Sequence, residues 1–333
     1  MAGMYEDNFV EQLRQGLSGL TEGWGLSPQC NVTTLNLSEN ATFKAVDPDT
    51  GQPVILRVHR PGYHTRQEIE SELQWIHDLR REGIVATPKP LARKDGSYIG
   101  SMFAAGDNRD VVAFEFMSGA EPSQASDGIV AGFRELGAIS ARLHRHAQGW
   151  KRPGTFRRKT WHYETMLGSS PLWGDWREAL GLNAVGMSIL ERASRALQKF
   201  LADFGEGPER FGLIHADLRL ANLLVDGDRL GVIDFDDCGF SWFVYDFASA
   251  VSFFEHEPIV PELLESWTEG YRSVAPLSAA DVAAIPTFVF LRRFLLTAWV
   301  ASHAETPTAQ SLGAPFTHGT VELAEAFLSK TER

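Results

Sequence analysis

The chain has 333 residues, of which 44% are hydrophobic and 11% aromatic, so its composition excludes an intrinsically disordered protein. Its length exceeds what a single hydrophobic core usually serves, and two lobes of unequal size are expected. The formal net charge of −12 argues against sequence-independent binding of nucleic acid or anionic lipid, which need clustered Lys and Arg, whereas a cationic small molecule suits this charge.

The first third of the chain has the pattern of a small antiparallel sheet. Residues 32–60 alternate and are rich in β-branched and aromatic residues, which predicts three strands, with the turn at 47–53 closing a hairpin. Apolar residues at helical spacing over 64–83 predict one helix after these strands. A second hairpin is predicted around Asp95-Gly96, and a further strand over 110–119.

Beyond Gly119 the pattern becomes helical. Residues 132–147, 184–204 and 261–272 carry apolar side chains at helical spacing, so the second lobe is predicted to be mainly helical. Residues 150–180 contain four tryptophans among many Gly, Pro and basic residues, which indicates an ordered insertion and not a linker.

The sequence predicts a cytoplasmic protein without a membrane span. The first ten residues lack the basic start and apolar run of a signal peptide. The longest apolar stretch, 285–303, is interrupted by Arg292 and Arg293, which favours a core helix with both arginines at one edge. The two cysteines, Cys30 and Cys238, lack the spacing of a zinc site or a disulfide framework.

The stretch "LIHADLRLANLLV" (213–225) sets His215, Asp217 and Asn222 between apolar runs, and Asp234 follows in "VIDFDD". An aspartate, an asparagine five residues later and an aspartate seventeen residues on reproduce the spacing used for phosphoryl transfer from ATP. That reaction needs hard oxygen ligands for magnesium and a carboxylate that orients the attacking hydroxyl. Asn222 and Asp234 are therefore predicted to bind Mg²⁺ and Asp217 to be catalytic. His215 is predicted to bond the backbone of the turn.

These motifs resemble the H-x-D-x-x-x-x-N and I-D-[FW] signatures of the aminoglycoside phosphotransferase and choline kinase-like family, and the resemblance can be followed from about residue 30 to about residue 300. It implies an α+β, bilobal, protein-kinase-like fold that uses ATP and Mg²⁺. A small antiparallel, β-rich N-lobe over 1–117 would bind the nucleotide and end in a hinge. A larger, mainly helical C-lobe over 118–333 would hold the catalytic residues and the acceptor.

The resemblance also assigns a nucleotide site. Arg57 stands where the family's phosphate-binding lysine is expected, and arginine is not a neutral substitute for a point-charge clamp. Either Arg57 pairs with Glu72 and reaches the phosphates, or Lys44 on the preceding strand shares the task. The family's usual glycine after the histidine is Ala216 here. The remaining predicted nucleotide-binding residues are Ser38, Asn40 and Thr42 in the loop between the first strands, and Glu115 and Met117 in the hinge.

Three further aspartates are expected to support the site. Of Asp236 and Asp237, one is expected to face the metals or a cationic substrate and the other to cap the next turn. Asp246 is expected to tie the catalytic loop to its lobe. Tryptophans 161, 173, 176 and 242 fit core packing better than an aromatic floor for a cation, and the histidines lack metal-ligand spacing.

The predicted function is transfer of the γ-phosphate of ATP to a hydroxyl of a small, amine-bearing metabolite: a hydroxy amino acid, a choline-like compound or an amino sugar. One alternative is a protein Ser/Thr kinase of the family's stress-response branch, against which the lack of an activation segment between Asp234 and Asp246 counts. The other is a non-catalytic, nucleotide-binding pseudokinase scaffold, favoured only by Arg57. The sequence leaves the oligomeric state open.

Overall fold

The computed structural model describes residues 7–38, 40–304 and 306–331, which form two compact units. The first unit comprises the described residues up to Gly119 together with Arg152–Arg158, and the second comprises Ala120–Lys151 and the chain from Lys159 onward. The predicted α+β class is confirmed. In chain order the elements are α1 (Asp7–Ser18), β1 (Asn31–Leu37), β2 (Ala41–Val46), β3 (Pro53–Val58), α2 (Arg66–Arg81), β4 (Ile99–Ala104), β5 (Asp107–Glu115), α3 (Ile129–Gly149), α4 (Tyr163–Met166), α5 (Ala184–Phe204), β6 (Phe211–Ile214), β7 (Leu223–Asp226), β8 (Arg229–Val232), β9 (Gly239–Trp242), α6 (Tyr245–Ala250), α7 (Val260–Arg272), α8 (Ala279–Ser302) and α9 (Pro307–Thr331).

The first unit is built on a five-stranded antiparallel sheet in the order β1-β2-β3-β5-β4. Side chains alternate across each strand, so Phe43 and Leu56 share one face and pack with Leu13 and Leu17 of α1 in a common apolar core. The helix α2 starts at a capping box, in which the Thr65 side chain accepts the N–H of Glu68. The predicted strands, first hairpin and helix of this region are therefore present.

The second hairpin of this sheet differs from the prediction. A turn does form at Asp95-Gly96, where the Arg93 N–H donates to the Ser97 carbonyl at 2.7 Å, but the paired strands are β4 and β5, joined at Ala105-Gly106. The arm before the turn contains Pro88 and Pro90, which have no N–H for a strand ladder, so it pairs with β5 only locally.

Part of the tryptophan-rich insertion packs on α2, an arrangement that the sequence does not predict. The Ser71 hydroxyl accepts the N–H of Arg157 at 2.9 Å, Gln67 donates to the carbonyl of Thr155 at 2.7 Å, and Arg158 donates to a helix carbonyl at 2.9 Å. These bonds fasten the segment 152–158 along the helix that carries Glu72.

The second unit is mainly helical, as predicted, and its helices α3 and α7 cross very closely. A Cβ atom on Gly137 would lie 2.0 Å from the carbonyl oxygen of Trp267, and one on Gly270 would lie 1.8 Å from that of Arg134. Each glycine therefore faces the backbone of the other helix, where any larger residue would push the two apart.

The helix α8 runs through the core of this unit. It is long and apolar enough to cross a membrane, but 72% of its most apolar window is buried in the protein, which is the burial of a core helix. The prediction that Arg292 and Arg293 lie at an edge is wrong, since both side chains are buried. Both find carboxylate partners inside the unit, and a buried arginine requires such partners.

Candidate active site

The turn after β6 is held by His215, which is fully buried. Its Nδ1 accepts the N–H of Asp217 at 3.3 Å, so the proton sits on Nε2, which donates to the Ile233 carbonyl at 3.1 Å. One imidazole therefore joins the Asp217 turn to the end of β8. This is the backbone contact that the sequence predicted for His215.

Beneath the turn, Asp246 accepts two backbone N–H groups, that of Ala216 at 2.7 Å and that of His215 at 3.4 Å. Ala216 adopts the left-handed conformation (φ 67°), which costs a non-glycine residue about 1 kcal/mol. Hydrogen bonds to a buried carboxylate offset this cost and hold the strained turn in place. Asp246 thus occupies the supporting position predicted for it.

His144, which the sequence did not connect with the site, extends this network. Its Nε2 donates to Asp246 at 2.9 Å, so its Nδ1 accepts the hydroxyl of Tyr271 at 3.0 Å. Burial raises the pKa of Tyr271 well above its ordinary value, which keeps this hydroxyl a donor. The crossing of α3 and α7 is therefore linked to the catalytic loop through one chain of hydrogen bonds.

Asp217 is only 8% exposed, and donors surround its carboxylate. Arg292 donates to Oδ1 at 2.6 Å, while Oδ2 accepts from Asn222 at 2.7 Å and from Arg219 at 3.2 Å. Burial alone would raise the pKa of this carboxyl, but the charges of Arg219 and Arg292 outweigh it and keep the pKa below its ordinary value. Asp217 is therefore an ionised acceptor with a fixed orientation.

Asn222 and Asp234 lie at the same end of the β7–β8 hairpin, since Asn222 precedes β7, Asp234 follows β8, and the Ile233 N–H donates to the Asn222 carbonyl at 2.9 Å. The Asn222 amide nitrogen donates to the backbone and side chain of Asp217, and within the described residues nothing donates to its Oδ1. Asp234 is exposed and has a left-handed backbone (φ 59°). One carboxylate and one amide oxygen suit Mg²⁺, which takes its other ligands from phosphates and water. Among the described residues no group of three or more His, Cys, Asp or Glu could hold a metal by itself.

The two aspartates after Asp234 differ in their surroundings. Asp236 is buried, whereas Asp237 is half-buried and its backbone carbonyl accepts the indole N–H of Trp161 at 2.9 Å. The charge of Asp237 contributes to raising the pKa of both Arg292 and Tyr245. Of the pair, Asp237 is the more exposed to solvent.

Arg292 is another residue that the sequence did not connect with the site. Besides its bond to Asp217, its guanidinium lies 5.0 Å from the ring centroid of Trp173, which is buried like the other three tryptophans considered above. A charged residue inside an apolar helix was the available signal, because burial of a cation implies a carboxylate partner. The sequence could not identify that partner, which lies 75 residues away.

In the first unit, Arg57 and Glu72 form the predicted ion pair. Nη2 of Arg57 donates to both oxygens of Glu72, at 2.7 and 2.6 Å, and Glu72 is fully buried. Thr42 lies opposite Arg57 across β2 and β3, and Lys44, on the same face, places its Nζ 4.7 Å from the ring centroid of Phe116. The two cations considered for the phosphates therefore share one face of the sheet.

The remaining predicted nucleotide-binding residues lie at the ends of these strands. The Ser38 N–H donates to the Asn40 carbonyl at 3.0 Å, and the Asn40 side chain accepts the N–H of Arg60 at 3.2 Å. Glu115 is exposed and pairs with Lys89 at 2.9 Å, and its N–H donates to the Lys89 carbonyl; Met117 is half-buried beyond the strand. Glu39, inside the predicted loop, lies outside the described residues.

The chain is similar to known phosphotransferases. The sequence profile of the phosphotransferase enzyme family matches residues 33–279. A solved structure described as a microcompartment-associated aminopropanol kinase has a TM-score of 0.87 and 45% sequence identity, and the likeness covers 95% of this chain and 97% of that one. Amicoumacin kinase of Bacillus subtilis is 23% identical over 78% of this chain and 76% of its own length. Homoserine kinase of Gluconobacter oxydans is 29% identical over 66% and 67%. The predicted kinase-like fold is confirmed.

Proposed function

The chain belongs to the phosphotransferase enzyme family and is an ATP-dependent kinase, and from this premise we propose that its acceptor is a small amino alcohol. The observation that carries the proposal is the ionised Asp217 beside Asn222 at the open end of the β7–β8 hairpin. The aminopropanol kinase, at 45% identity, supports an acceptor with a hydroxyl and an amine on a short carbon chain.

In this proposal Asp217 accepts a hydrogen bond from the acceptor hydroxyl and directs its oxygen toward the γ-phosphate. Arg219 and Arg292 keep the carboxylate ionised and oriented. Asn222 and Asp234 hold Mg²⁺, which when bound neutralises charge on the phosphate oxygens. In the first unit, Arg57, with its guanidinium fixed by Glu72, and Lys44 are the cations proposed to bind the phosphates.

The ammonium group of such an acceptor is proposed to bind at Asp237. The charge of Asp217 is already matched by Arg219 and Arg292, so it attracts a cation weakly. An amino alcohol with its two groups on neighbouring carbons needs a second carboxylate close to Asp217. Asp237 is half-buried, lies three residues after Asp234 in the same loop, and acts by its charge on Arg292 and Tyr245, which supports its assignment to this role.

We expect Asp237→Asn to raise KM for an amino alcohol by about 10- to 100-fold, the value of one charged hydrogen bond, with a smaller change in kcat. Steady-state kinetics with the amino alcohol and with the matching neutral diol measure the effect, since the diol has no ammonium to lose. Asp228→Asn, an exposed change of the same kind, is the control. An equal loss for amine and diol would show that Asp237 does not bind the ammonium.

The acceptor class is tested by a Mg²⁺-dependent ATP-consumption screen. The panel contains short amino alcohols, hydroxy amino acids, choline-like compounds, amino sugars and casein. Short amino alcohols are expected to give the highest kcat/KM. Turnover restricted to a hydroxy amino acid would move the proposal toward the homoserine kinases, and labelling of casein alone would support the protein-kinase alternative.

A further inference from the structure

Arg292 is held by partners from three parts of the second unit. Its Nη2 donates to Asp217 at 2.6 Å and its Nε to the hydroxyl of Ser252 at 3.0 Å. Its Nη1 lies 3.3 Å from the Tyr245 hydroxyl and 3.4 Å from the Ala216 carbonyl. The planar guanidinium therefore has one orientation, set by α6, by the loop after α6 and by the catalytic turn.

The neighbouring Arg293 is also buried in this helix, but its carboxylate partner is not Asp217. Its Nη1 pairs with Glu255 at 3.1 Å, and its other nitrogens donate to Thr320 at 2.9 Å and to the Phe316 carbonyl at 2.9 Å. Consecutive residues of a helix point about 100° apart, so the two side chains contact different parts of the unit. Arg293 joins α8 to α9, and of these two arginines Arg292 is the one that contacts Asp217.

The two oxygens of Asp217 are not equivalent. Oδ2 receives two donors, from Asn222 and Arg219, which fill the usual capacity of a carboxylate oxygen. Oδ1 receives one donor among the described residues, Nη2 of Arg292. Oδ1 therefore keeps a position for one more donor, and Arg292 determines where that position points.

We propose that Oδ1 of Asp217 is the atom that receives the acceptor hydroxyl, and that Arg292 is the positioning residue that orients it. The inference rests on the proposed function, because it assigns the hydroxyl to Asp217. It adds that Oδ1 is the oxygen that accepts the hydroxyl proton's hydrogen bond. It also adds that Arg292, 75 residues further along the chain, orients the remaining acceptor position of Oδ1.

The test compares matched substitutions of the two arginines. Arg292→Lys and Arg293→Lys each keep the charge and remove the planar fork. We expect Arg292→Lys to lower kcat by about 10-fold and Arg292→Met by about 100-fold, the cost of a misplaced reacting group, with KM for ATP within about three-fold of wild type. Arg293→Lys is expected to keep kcat within about three-fold of wild type. The kcat of Arg292→Lys should lie between that of Arg292→Met and that of wild type.

Two further variants keep the test valid if the charge-removing change fails to fold. Ser252→Ala and Tyr245→Phe each remove one bond that orients Arg292 and leave Asp217 and its pair in place. Both are expected to lower kcat by several-fold with KM for ATP unchanged. An unchanged kcat in Arg292→Lys and in both of these variants would overturn the proposal.

A thermal double-mutant cycle separates this failure from failure of the proposed function. Melting temperatures of Asp217→Asn, Arg292→Met and the double variant require neither ATP nor an acceptor. We expect the double variant to melt above the temperature that the sum of the two single losses predicts, because each single change removes the same ion pair and leaves the other buried charge without that partner. Additive losses of melting temperature would overturn the placement of Arg292 beside Asp217. If the losses are non-additive but the protein phosphorylates none of the acceptors, the ion pair stands, and the proposed function fails together with the catalytic role of Asp217.

Discussion

Asp217→Asn is expected to lower kcat by about 100- to 10,000-fold and to leave the dissociation constant for Mg²⁺-ATP within a few-fold of wild type. The amide offers one acceptor oxygen in place of two and turns an NH₂ group toward one set of the donors that now surround the carboxylate. Either the Arg292 side or the side of Asn222 and Arg219 then loses its bond. The acceptor hydroxyl loses its charged partner in both cases.

The measurements are coupled-enzyme detection of ADP with the best amino alcohol and calorimetric titration of Mg²⁺-ATP. Asp228→Asn removes the same charge at an exposed position and serves as the matched control. Because the substitution leaves Arg292 without its carboxylate, the melting temperature is recorded and kcat is compared below the transition. Turnover within ten-fold of wild type in a folded variant would refute the assignment of Asp217.

The sequence predicted those contacts of the site that join residues close together in the chain, because local geometry determines them. Asn222 and Asp234 are separated by two four-residue strands and a tight turn, so their meeting at one end of the hairpin follows from strand pairing alone. His215 likewise acts on a residue two positions away, and on the carbonyl at the end of the paired strand. Such contacts need no knowledge of how helices pack.

The contacts that the sequence did not give join residues far apart in the chain. His144 meets Asp246 across 102 positions, and Arg292 meets Asp217 across 75. Helical periodicity predicts which residues of a helix are apolar, but the face of α8 that meets the catalytic turn depends on the packing of several helices. The packing of segment 152–158 on α2 is of the same kind, since its polar composition gives no indication of a partner.

The ion pair of Arg57 and Glu72 is compatible with two roles, a structural one and a nucleotide-binding one. The sequence predicted its pairing with Glu72, and the structure shows both carboxylate oxygens bound by one guanidinium nitrogen. The pair alone does not require a nucleotide, because a buried arginine and glutamate also form a structural contact. Stability and ATP binding must therefore be measured separately.

Glu72→Gln is expected to lower the free energy of unfolding by about 3–5 kcal/mol, because it removes the carboxylate charge that pairs with the buried guanidinium of Arg57. If the pair presents Arg57 to the phosphates, the affinity for Mg²⁺-ATP should also fall, by about ten-fold or more. Chemical denaturation and calorimetric titration measure the two effects independently.

The double variant Arg57→Met/Glu72→Leu separates the two roles of the pair. Replacing both charges with apolar side chains of similar size is expected to restore most of the lost stability, since a buried ion pair often contributes little beyond the cost of removing its charges from water. Nucleotide affinity should stay low, because methionine offers the phosphates no donor. Arg57→Lys, which introduces the residue usual in the family, should retain part of that affinity because its charge is kept. A stable double variant that binds Mg²⁺-ATP as tightly as wild type would show that Arg57 and Glu72 only hold α2 against the sheet, and it would leave Lys44 as the cation of this unit proposed for the phosphates.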